Sequence, residues 1–108
     1  MESTRCKTQT PWGQADQSKQ ITRGIMQYWT PSHGGYHVSD CMLKEMPEYM
    51  RNDPYTPLGW FEEDCAWSKV VICFPTLFSI EDQEAARSTV KSCYPELYQR
   101  LLNEHYIY

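Results

Sequence analysis

The chain has 108 residues, 41% of them hydrophobic, and a formal net charge of −4 from 10 basic and 14 acidic side chains. That length supports one domain with a modest core and excludes two. The acidic balance argues against direct binding of nucleic acid, which needs clustered Lys and Arg, and no stretch is long and apolar enough to suggest a membrane span.

Residues 1–60 carry six basic and six acidic side chains, and residues 61–108 four and eight, so the acidity gathers in the second half. Five cysteines, Cys6, Cys41, Cys65, Cys73 and Cys93, are irregularly spaced and form no C-x-x-C pair. An odd count with no apolar leader predicts free thiols in a reducing compartment, hence a cytoplasmic location. Four Trp and eight Tyr are many for so small a domain. Some must stay partly exposed, which favours a binding surface.

Residues 1–9 are polar and aperiodic and are expected to form a flexible N-terminal segment, leaving 10–108 as the single compact domain. Thr10-Pro11-Trp12-Gly13 reads as a turn, with Trp12 anchoring the N-terminus. Gln17–Thr22 and Ile25–Thr30 flank Arg23-Gly24 and read as a hairpin. In its second strand Ile25, Gln27 and Trp29 alternate with Met26, Tyr28 and Thr30, giving two contact faces. Pro31 ends that run, Gly34-Gly35 predicts a sharp turn, and Tyr36-His37-Val38 a third strand.

Ser39-Asp40 opens a helix through Met42, Leu43 and Met46, which Pro47 interrupts before a further turn over Glu48–Arg51. Asn52–Gly59, with two prolines and a glycine, predicts a flexible loop. Glu62–Phe74 has two readings. Three acids at its start suit the positive end of a helix, whereas Val70-Val71-Ile72-Cys73-Phe74 suits a buried strand. Helix is preferred, and Pro75 ends it. Ser79 with Asp82 three residues on predicts a capped helix to about Ser92, and Pro95 starts a last helix with Leu97, Tyr98, Leu101 and Leu102 in its stripe. The expected fold is α+β: a short antiparallel sheet of two to three strands, followed by three to four helices packed on one face.

Two segments concentrate reactive side chains: Ser32-His33-Gly34-Gly35, and Trp60-Phe61-Glu62-Glu63-Asp64-Cys65-Ala66-Trp67. His33 as a general base would need a carboxylate to orient it, for which Glu62, Glu63 and Asp64 are candidates, with Cys65 as a nucleophile. A metal reading draws on His33, His37, Cys65 and one of the three acids. The structural reading has the His33 ring tie the Gly-Gly turn to the acidic segment by hydrogen bonds. Glu63 and Trp67, four apart, would share a helical side, and Trp12, Trp29, Trp60 and Trp67 would wall the region. Weighed together, these readings assign no catalytic residue, no metal and no cofactor.

Thr10-Pro11-Trp12-Gly13, Thr30-Pro31-Ser32-His33-Gly34-Gly35, Phe61-Glu62-Glu63-Asp64-Cys65-Ala66-Trp67, Phe74-Pro75 and Tyr94-Pro95-Glu96-Leu97-Tyr98 resemble the ordered motifs of a small uncharacterised domain family of bacteria, phages and mobile elements. The resemblance spans residues 10–98 and puts Trp12, His33, Gly34, Gly35, Glu62, Glu63, Asp64, Cys65 and Trp67 at motif positions. It implies no activity. A phage or mobile-element setting suits a small acidic protein that binds, and can inhibit, a host or defence factor. That is the expected function. The alternative is a small hydrolase or metal-dependent enzyme centred on His33 with Glu62, Glu63, Asp64 or Cys65.

Overall fold

Three Thr-Pro dipeptides punctuate the first 60 residues, and each puts a threonine hydroxyl where it closes a turn. The computed structural model describes residues 8–52 and 56–106. In it Thr10 Oγ1 donates to the Gly13 carbonyl at 2.7 Å and accepts from the Trp12 amide at 3.1 Å. This closes a two-stranded ribbon of β1 (Gln9–Thr10) and β2 (Gly13–Gln14), with Gly13 at φ 118°, where a side chain would be strained. Thr30 Oγ1 donates to the His33 carbonyl at 2.7 Å and accepts from the Ser32 and His33 amides. Thr56 Oγ1 donates to the Trp60 carbonyl at 2.8 Å. In all three the proline pre-sets φ at the second turn residue.

The main sheet is antiparallel, in the order β3 (Gln17–Thr22), β4 (Ile25–Trp29), β5 (Gly34–Val38) and β6 (Trp60–Glu62). The expected β3–β4 hairpin is present. Its second strand stops at Trp29 because the Thr30 amide turns back to the His33 carbonyl at 2.7 Å. Gly34 and Gly35 are strand residues, not the expected sharp turn, which Thr30–His33 supplies. Neither glycine has a positive φ. Glycine is needed here for close approach: a Cβ on Gly35 would run into the Phe61 carbonyl and come within 2.6 Å of Trp12 Cη2.

Ser39 Oγ accepts the Met42 amide and starts α1 (Asp40–Leu43), and α2 (Glu48–Arg51) follows Pro47. These short helices sit between β5 and β6 in the chain, so the expected order of sheet first and helices afterwards is broken. After β6 come α3 (Trp67–Cys73), α4 (Ile80–Cys93) and α5 (Pro95–Asn103). The described residues therefore hold six strands in two sheets and five helices, more than the expected two to three strands and three to four helices. β6 is the largest departure. Phe61 has to be extended to pair with Tyr36, so the acids 62–64 end a strand and enter a turn instead of opening a helix.

The helix reading of Val70–Cys73 holds. Its apolar run is continuous because Val70, Val71 and Ile72 are all buried, so no polar side interrupts it. The core joins them to Ile25, Tyr36, Val38 and Phe61 of the sheet, Leu43, Met46 and Met50 of the inserted segment, and Ala86, Val90 and Leu101 of α4 and α5. Most of the expected flexible segment 1–9 lies outside the described residues, although Gln9 pairs with Gln14. The expected Asn52–Gly59 loop is described except for residues 53–55, and its end is tied to the sheet by Val38 N–H donating to the Gly59 carbonyl at 2.8 Å.

Candidate functional site

Pairing of β5 with β6 brings the two reactive segments together. Gly35 lies opposite Glu62, and the Glu63 amide donates to the Gly34 carbonyl at 2.9 Å. The Thr30 turn then holds His33 over the end of β6. Its Nδ1 lies 3.4 Å from Glu62 Oε2 and 3.6 Å from Glu63 Oε2, with side chains 44%, 27% and 48% exposed. These are ion-pair separations and exceed the usual hydrogen-bond range. At such exposure they add at most about 1 kcal/mol. The expected hydrogen-bonded tie through His33 is thus replaced by a loose electrostatic contact, while backbone pairing joins the segments.

Cys65 is not a free thiol. Its sulfur is bonded to that of Cys93, 28 residues away, with Cα atoms 6.2 Å apart. The bridge fastens the acidic turn to the C-terminal end of α4, and closing a loop of that length contributes roughly 3–4 kcal/mol in the chain-entropy account. It corrects the expectation of free thiols for Cys65 and Cys93, which holds for Cys41 and Cys73, and removes its inference of a reducing compartment. It also withdraws Cys65 as nucleophile and as metal ligand. Of the other described cysteines, Cys41 is exposed, whereas burial pushes the Cys73 thiol up to about 12. Cys6 lies outside the described residues.

Among the described residues, His33, Glu63 and Asp64, all exposed, present ligand atoms within 4.8 Å of one another and could together hold a metal. His37 does not join them. It packs at a tilt against Trp60, with ring centroids 4.5 Å apart. Burial there lowers its pKa, against an opposing pull from Asp40.

His37 and Trp60 belong to a second assembly that the sequence foreshadowed only in part. Strand alternation sends Met26, Tyr28, Gly35, His37, Trp60 and Glu62 to the sheet face opposite Ile25, Tyr36, Val38 and Phe61. On that outer face Trp60 meets Tyr28 and Trp12, each at 5.7 Å between centroids, and Trp12 lies over Gly35. Trp12, Tyr28, His37 and Trp60 are all half-buried, and none is part of the hydrophobic core. The signals that could have located this layer were the outer set Met26-Tyr28 in β4 and the repeated Thr-Pro turns that deliver Trp12 and Trp60. Trp29 and Trp67 lie apart from it, lining a cleft of about 170 Å³ with Gln27, Gly35, Tyr36 and Glu63.

The four tryptophans of the chain therefore fall in two groups, Trp12 with Trp60 on the outer face and Trp29 with Trp67 along the cleft. Among the described residues, no hydrogen bond joins the His33 imidazole to a thiol or hydroxyl side chain. Also among them, no helix is long and apolar enough to cross a membrane.

Fold and site define a small disulfide-linked α+β domain with an aromatic outer sheet face. A family model described as "Domain of unknown function (DUF7007)" matches residues 5–106, and the chain belongs to that family. No curated protein and no solved structure is significantly similar to it.

Proposed function

We propose that this DUF7007 domain is a small protein-binding regulator of phage or mobile-element type, which engages and inhibits a host or defence protein. The observation that carries the reading is the outer sheet face. Trp12, Tyr28 and His37 each contact Trp60, and all four keep partial exposure and lie outside the core. Rigid rings of this kind supply the anchors of protein interfaces.

The acidic surplus of residues 61–108 favours a partner with a basic surface, and it disfavours nucleic acid. The mobile-element setting rests on the motif resemblance. Action in the cytoplasm follows from the partner class alone, since the Cys65–Cys93 bridge removes the free-thiol argument. The hydrolase reading has less support, because Cys65 carries no thiol and His33 is half-exposed beside acids with no nucleophile between them.

The test compares capture by immobilised wild-type domain and by Tyr28→Ala from a lysate of the host cell, with retained proteins identified by mass spectrometry. A host protein held by the wild type and lost with the variant, while the variant keeps its circular dichroism spectrum, is the expected result. Identical retention by both, or none by the wild type, overturns the proposal.

A further inference from the structure

The geometry points to the cleft between β4, β5 and α3 as a receptor for the guanidinium group of an arginine side chain presented by a protein partner. This rests on the binding-module reading above and adds the chemistry of one contact to it.

Size sets the first limit. The cleft measures about 170 Å³, close to the roughly 150 Å³ cavity that takes one benzene. It is well below the about 300–1,000 Å³ of pockets for drug-sized ligands and cofactors. It accommodates the head of one side chain.

Its lining sets the charge of that head. Three aromatic residues, Trp29, Tyr36 and Trp67, surround it, with the Glu63 carboxylate and the Gln27 amide as polar groups. The Tyr36 phenol stays neutral, raised to about 12 by burial and then by Asp82. Glu63 is thus the charge in the lining, and Asp64 beside it is also exposed. An anion is repelled by this set. A neutral apolar group would leave the amide without a partner and the carboxylate with only its loose contact to His33. A cation satisfies the carboxylate and the aromatic rings together.

Position narrows the cation further. A Cβ placed on Gly34 would meet the Tyr28 carbonyl at 2.8 Å, Glu63 Oε1 at 3.4 Å and Trp29 Cδ1 at 3.6 Å, so carboxylate and indole converge beside this closely packed glycine. The Glu63 amide is fixed on the Gly34 carbonyl, and the Cys65–Cys93 bridge fixes the chain two residues later, so the backbone that carries the carboxylate is held in place. The Gln27 side chain makes no hydrogen bond within the described residues. A planar guanidinium stacks on an indole while forking onto a carboxylate and donating to an amide oxygen. A lysine ammonium is a compact, strongly hydrated point charge that uses the flat walls less well.

The experiment titrates N-acetyl-L-arginine methylamide into the full chain and follows indole N–H resonances by NMR. The expected result is saturable binding in the millimolar range, with the shifts on Trp29 and Trp67 and not on Trp12 or Trp60. The neutral citrulline analogue and the lysine analogue bind more weakly, and Glu63→Gln weakens arginine binding about tenfold. Glu63 is exposed, so that variant keeps the fold. Absence of saturable shifts, equal binding of citrulline or lysine, or an unchanged Glu63→Gln affinity overturns the assignment. Host-protein capture sensitive to Tyr28→Ala but with no arginine binding would remove this site and leave the binding module standing. Arginine binding with no capture would do the reverse.

Discussion

On the helix-covered face of the sheet Ile25, Val38 and Phe61 are exposed by no more than 1%, whereas on the outer face Tyr28, His37 and Trp60 keep partial exposure. Both sets come from the same three strands, separated only by the two-residue alternation of β structure. The covered face sets Ile25 and Val38 beside the rings of Tyr36 and Phe61 and meets α3, α4 and α5 in one core. The outer face is aromatic and is covered in part by a single ring from the N-terminal ribbon, Trp12. The difference is one of burial: apolar area is buried on one side, while the rings of Trp12, Tyr28 and Trp60, which could have added to it, keep partial exposure on the other.

The strongest way to break this comparison is to truncate one residue from each face. Phe61→Ala removes a fully buried ring and should cost about 3–5 kcal/mol in urea denaturation. Tyr28→Ala removes a half-buried ring from its contact with Trp60 and should cost about 1 kcal/mol. Equal losses would mean that the outer layer is a second core, and the separation would collapse.

A smaller effect is expected where the faces meet. Gly35→Ala would push a methyl group into the Phe61 carbonyl on the neighbouring strand and into the Trp12 ring above. Backbone and ring must both yield, at a cost of roughly 1–3 kcal/mol, with a change in tryptophan fluorescence as Trp12 is displaced. A variant with native melting and native fluorescence would show that Trp12 does not rest on this glycine.

Local signals in the sequence were sufficient for elements that fold by local rules. Ser39 and Ser79 cap their helices as their side chains predict, Pro95 opens the last one, and the β3–β4 hairpin follows its alternation. The failures all involve partners distant in sequence. β6 is three residues long and is extended only because β5 offers it an edge 25 residues upstream, so Glu62–Asp64 read as a helix start. Gly34-Gly35 looked like a turn because the crowding from Phe61 and Trp12 that demands glycine is visible only in three dimensions. Cys65 and Cys93 have no telling interval; α3 and α4 have to pack before the sulfurs meet. The candidate site was half legible. The segments around His33 and Glu62–Asp64 do adjoin, but the aromatic layer depends on Trp60 being in a strand.

The smallest effect is also the most specific to the outer face. His37 is drawn below its usual 6.5 by burial against Trp60, with Asp40 opposing. Between that lowered value and 6.5 the unfolded chain binds more protons than the folded one, so stability must rise with pH across this window. Sign and limits follow directly. The penalty is absent above 6.5, grows as pH falls through 6.5, and levels off once the folded ring is also protonated. Comparing the melting of wild type and His37→Gln from about pH 5 to 8 isolates the term from other titrating groups. The wild type should lose stability relative to the variant as the solution is acidified. A flat difference, or one of opposite slope, would mean that the imidazole is fully hydrated and that the layer of Trp12, Tyr28 and Trp60 does not shield it. The outer face would then be four separate surface rings and no longer one packed layer.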